Sequence, residues 1–116
     1  MLKNKSRSIG ILGLSRYNCQ QMDILGSNIA LARKKRKIRQ EDIANRAAIS
    51  VKTYRKIERG DPSVSIGLYL AVLSIMGLDL PFSDLADPAK DKVGLELEKR
   101  ALPERVKLKL NKELDF

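Results

Sequence analysis

The chain has 116 residues, 43% of them hydrophobic, and its 23 Lys and Arg against 14 Asp and Glu leave a net charge of +9. It contains no His and one Cys, Cys19, which removes the commonest general base, any disulfide within the chain and any multi-cysteine metal site. No apolar run approaches the roughly 18 residues needed to span a bilayer, whereas a strong excess of base invites a polyanionic partner.

Only five aromatic residues (Tyr17, Tyr54, Tyr69, Phe82 and Phe116) are available, so a small core must be built from Ile, Leu, Val and Ala. Charge is uneven along the chain. Residues 1–22 hold Lys3, Lys5, Arg7 and Arg16 with no acid, and read as a basic N-terminal tail. Within it, IGILGLS is too short for a secretory core and reads as a short strand or a partner contact. Residues 33–39, RKKRKIR, hold six bases in seven positions. Residues 61–98 are net acidic, with seven acids and two bases, and the basic charge returns in 99–116.

From Ile24 the pattern turns helical, with Leu25, Ile29 and Ala32 recurring at one face. A second helix is predicted over 40–47, with Ile43, Ala44 and Ala47 on its inner side. After a break at Ala48-Ile49, Ser50 is a natural N-cap for a third helix, stopped by Gly60. Asp61-Pro62-Ser63 forms a turn, and Ser65 can cap a fourth helix running to Met76 and closed by Gly77. That helix is apolar on more than one side. Ile66, Tyr69, Leu70, Leu73 and Met76 share one face, and Leu68, Val72 and Ile75 form a second stripe. The second stripe reads either as a dimer surface or as a face covered by Leu78, Leu80, Phe82 and Leu85. Asp87-Pro88 opens a further helical segment, KVGLELEKRAL, interrupted by Gly94, before the basic end of the chain. The expected organisation is a tail over 1–22, a folded domain over 23–86 and a C-terminal helix with basic tail over 87–116. The expected fold class is all-α, with about five short helices.

Two short helices joined by a three-to-four-residue turn have the geometry of a helix-turn-helix. In IRQEDIANRAAISVKTYRKIERG, Ala44 is small where two helices would cross, and Ile43, Ile49 and Ile57 fill the angle between them. Ser50 would cap the helix whose start must point at DNA. Cys19, Glu96 and Glu98 have no partner constellation, so no catalytic residue, metal site or cofactor is expected.

Over residues 24–77 the sequence resembles the XRE/Cro-type helix-turn-helix family, the phage-repressor-like DNA-binding domains of bacteria. The segments IERGDPSVS, LADP and LPERV are further similar to HipB-type antitoxins, which pair with HipA-like kinase toxins. The resemblance implies a lambda-repressor-like bundle and a cytoplasmic, nucleoid-associated protein with no membrane attachment. It implies base contacts from Val51, Lys52 and Lys56, and phosphate contacts from Gln40, Arg55 and Arg59. Lys can donate to guanine and Val can meet a thymine methyl, whereas phosphate contacts set register. Arg33, Lys37 and Arg39 read as further phosphate contacts, the alternative being a solvated helix end whose bases complement the dipole. Two positions depart from the family: Ala48 stands where Gly is usual, and Tyr54 replaces a buried aliphatic residue with one whose hydroxyl needs a partner.

The reading is a homodimeric, sequence-specific repressor on a palindromic operator in double-stranded DNA, serving as the antitoxin that restrains a HipA-like serine/threonine kinase. Its rivals are a stand-alone regulator and an interaction module that does not read DNA. The basic C-terminal tail is left open between DNA and a protein partner.

Overall fold

The computed structural model describes residues 13–79 and 82–101, which divide into two compact units at position 80/81. Residues 1–12 and 102–116, with most of both basic tails, lie outside the described residues, as does Leu80. Every regular element described is helical: α1 (Arg16–Lys35), α2 (Gln40–Arg46), α3 (Val51–Glu58) and α4 (Ile66–Ile75), then 3₁₀ turns at Phe82–Asp84 and Pro88–Lys90, and α5 (Lys92–Ala101). Five α-helices and an all-α class agree with the sequence reading.

The first helix begins eight residues before Ile24. Ser15, in extended conformation, accepts a hydrogen bond from the Asn18 amide at 3.0 Å and caps it, so residues 16–22 are helical rather than tail. Periodicity gave little sign of this, because Tyr17 and Ile24 on this helix are exposed. What holds the segment is a backbone contact. A Cβ placed on Gly26 would lie 2.5 Å from the Gly60 amide nitrogen and 2.6 Å from the Glu58 carbonyl oxygen. Gly60 in turn faces the backbone of Met22 and Asp23, so α1 crosses the end of α3 at a spacing only two glycines allow.

The core of this unit is Ile29, Ile43, Ala44, Tyr54, Ile57, Tyr69, Val72 and Met76, all drawn from α1 to α4 and its cap. All four helices end in the same motif. The residue after each C-cap takes a left-handed conformation, and the amides that follow satisfy the last carbonyls: Ile38 N to Arg33 O, Ile49 N to Ala44 O, Asp61 N to Lys56 O and Leu78 N to Leu73 O. Glycine supplies that conformation at Gly60 and Gly77, but Lys37 (φ 56°) and Ala48 (φ 58°) supply it elsewhere. The turn of the predicted motif therefore keeps its usual shape at Ala48, against the steric penalty.

The stripes assigned to α4 need correction. Val72, placed on a dimer surface with Leu68 and Ile75, is fully buried in the unit's own core, while Ile66, placed on the core face, is 67% exposed. Leu68 and Ile75 are half-buried and also pack against the core. The physical reason is that a helix apolar all round has no preferred inward side in its own pattern. The neighbours choose the side, and here they choose Tyr69, Val72 and Met76. Tyr69 then reaches past the core to donate to the Asp61 carbonyl at 2.8 Å, tying α4 to the turn before it.

The second unit is described by itself. Asp87 caps the Pro88 turn by accepting from the Ala89 amide at 2.9 Å, and Asp91 does the same for the Gly94 amide at the start of α5. That helix runs on through Gly94 and exposes Val93, Leu95 and Leu97.

Candidate nucleic-acid interface

Ser50 accepts from the Thr53 amide at 3.0 Å and starts α3 cleanly. Tyr54 and Ile57 anchor one side of the helix in the core. The other side carries Lys52, Arg55 and Arg59, all exposed, with Val51 and Lys56 half-buried beside them. The basic residues assigned to this helix thus lie away from its buried residues, while Val51 also packs against the core.

The one acid of α3 points the other way. Glu58 Oε2 lies 2.6 Å from Arg33 Nε of α1, and both side chains are about one-tenth exposed, at 10% and 11%. The buried Tyr54 hydroxyl donates to the same carboxylate, and Gln40 Nε2 of α2 donates to its other oxygen at 2.9 Å. Burial pushes the Glu58 carboxyl up, but the hydrogen bonds from Arg33, Tyr54 and Gln40 outweigh it and hold its pKa below the ordinary value. Burial, reinforced by the Glu58 hydrogen bond and charge, raises the Tyr54 phenol, so it stays a neutral donor. One carboxylate therefore fastens three helices together.

Arg33 is accordingly withdrawn from the phosphate set. It is 9% exposed, and besides Glu58 it donates through Nη1 to the Ile38 carbonyl at 2.8 Å. Each of its three nitrogens donates to a protein acceptor. Arg36 is also engaged, through Nη2 to the Met76 carbonyl at the end of α4. The six-base run thus separates into the buried Arg33, an exposed Arg36 tied to the end of α4, and four further exposed residues: Lys34, Lys35, Lys37 and Arg39. Arg39 pairs with Asp42 at 3.3 Å, an exposed contact of small energetic weight.

Gln40 is oriented from both ends. Its nitrogen faces Glu58, and its oxygen accepts from Arg55 Nε at 3.2 Å. The core ion pair is thereby linked through one amide to the exposed side of α3. Sequence reasoning assigned Glu58 no role. The available signal was a lone acid in a helix otherwise rich in base.

Helix, left-handed turn at Ala48, capped second helix and cationic outer face together make a recognisable unit. Residues 29–82, just under half the chain, match the model of the helix-turn-helix family. They form an XRE-type helix-turn-helix domain. No curated protein and no solved structure matches the chain. The helix-turn-helix domain begins within α1 and includes every core residue named above. Among the described residues, no helix is long and apolar enough to cross a membrane.

Proposed function

We propose that this chain is a sequence-specific DNA-binding repressor that acts as a homodimer on a palindromic site. The observation that carries the reading is the outer side of α3, where Lys52, Arg55, Lys56 and Arg59 stand together while Glu58 is drawn inward. In this reading Val51, Lys52 and Lys56 meet base edges, and Gln40, Arg55, Arg59, Lys37 and Arg39 hold phosphates. Two copies would set their recognition helices about 34 Å apart, in successive major grooves. Leu68 and Ile75 remain at the edge of the proposed dimer surface, and Val72 leaves it.

The test is binding to the DNA upstream of the protein's own gene, at stated salt, by wild type and by a Val51→Ala/Lys52→Ala/Lys56→Ala variant. Wild type should prefer that DNA over a scrambled duplex, and the variant should lose the preference. Equal affinities throughout would reject sequence reading. Solution mass tests the dimer.

The finer assignment is an antitoxin that represses its own promoter in the bacterial cytoplasm and restrains a HipA-like serine/threonine kinase. Its support is the likeness of IERGDPSVS, LADP and LPERV to HipB-type antitoxins. Co-expression with the product of the adjacent gene should yield a stable complex and relieve toxicity. A neighbouring gene of another kind leaves the stand-alone regulator.

A further inference from the structure

Between α1 and α3 lies an open groove of about 550 Å³, bordered by Ser27, Leu31 and Lys34 on one side and by Gln40, Arg55 and Arg59 on the other. Glu58 also borders it, but its carboxylate is matched by Arg33. Three cations therefore line the groove without a compensating anion. Lys34 and Arg59 form no ion pair among the described residues. Among the described residues Arg55 donates through Nε to Gln40, which leaves its terminal nitrogens able to donate, and Gln40 keeps one amide hydrogen beyond the one given to Glu58.

We infer that this groove seats a backbone phosphate of the DNA duplex and that Lys34 is one of the ligands, so that α1 touches DNA together with the helix-turn-helix. The inference rests on the DNA-binding reading above and adds a contact from a helix outside the two that define the motif. A continuous polyanion fits the site because the groove is open and adjoins the exposed side of α3. Arginine offers a planar fork to phosphate oxygens and lysine a compact charge, which together suit a tetrahedral anion approached from several sides. The choice of Lys34 is geometric. Ser27, Leu31 and Lys34 recur at one face of α1, whereas Lys35 is rotated by about 100° and does not border the groove.

The experiment measures duplex binding against salt for full-length wild type, Lys34→Ala, Lys34→Arg and Lys35→Ala, using duplexes recovered from a randomised library by the wild type. Both positions are exposed, and unchanged helical content and melting confirm folding. Lys34→Ala should make the log–log salt slope shallower by about 0.9 per protomer and weaken binding at low salt. Lys34→Arg should retain the slope, and Lys35→Ala should match wild type. If Lys34→Ala and Lys35→Ala behave alike while wild type binds DNA, the groove contact is wrong and the DNA-binding reading stands. If wild type recovers no duplex and binds none, both fail together.

Discussion

Arg33 of α1 and Glu58 of α3 form an ion pair at 2.6 Å within the helical unit, and that pair takes one cation of the basic run out of the solvent-facing set. A buried carboxylate that lost its cation would stay desolvated and uncompensated. Arg33→Ala is therefore expected to destabilise the domain by about 3–5 kcal/mol, measured by urea or thermal unfolding. A phosphate ligand would behave differently, leaving stability alone and reducing DNA affinity.

The same carboxylate should give stability a pH dependence. The folded pKa of Glu58 lies below its ordinary value of 4.5, so the folded state favours the ionised form. Its contribution is fully present above that value and disappears as pH falls through the lower folded pKa. The stability gap between wild type and Glu58→Gln should be constant from neutral pH to about 5, then narrow on acidification. A gap that widens toward low pH would contradict the assignment.

Ala48 occupies a left-handed conformation at φ 58°. Glycine there removes a steric cost of about 1–2 kcal/mol and adds unfolded-state freedom worth about 0.4–1 kcal/mol. Ala48→Gly should raise stability by about 0.5–1 kcal/mol, a difference of these two effects, with DNA binding unchanged. A fall in the melting temperature would show that the turn is not strained.

Two helical glycines should respond to alanine in opposite directions. At Gly26 the new Cβ meets backbone atoms of Glu58 and Gly60 at 2.6 and 2.5 Å, which cannot yield as a side chain can. Gly26→Ala should cost about 1–3 kcal/mol. At Gly67 on α4 the nearest atom, Ser65 Oγ, is 3.9 Å away. Gly67→Ala should stabilise by about 0.5–1 kcal/mol through helix propensity alone. Melting temperatures of both variants check the pair.

Local rules were enough for the middle of the chain. Ser50 and Ser65 cap the helices that their positions indicate, and Gly60 and Gly77 end them, because capping and left-handed termination act over a few neighbouring residues. Ile43, Ala44 and Ile57 lie in the core for a similarly local reason, the alternation of small and branched residues on short amphipathic helices. The start of α1 was not legible in this way. Its early turns are held by Gly26 against Gly60, a contact between residues 34 positions apart in sequence.

By itself the sequence determined an all-α fold class, a helix-turn-helix with a capped second helix, and a run of bases beside that motif. These follow from periodicity, caps and charge, which are properties of neighbours. Tertiary structure decided which members of that run face outward. RKKRKIR reads as one basic run, yet Arg33 turns in to Glu58, Arg36 binds the end of α4, and Lys34 lines the groove beside Arg55 and Arg59. It likewise placed Val72 inside. A charge or a methyl group has no inward direction of its own, and the packing of the other helices supplies one.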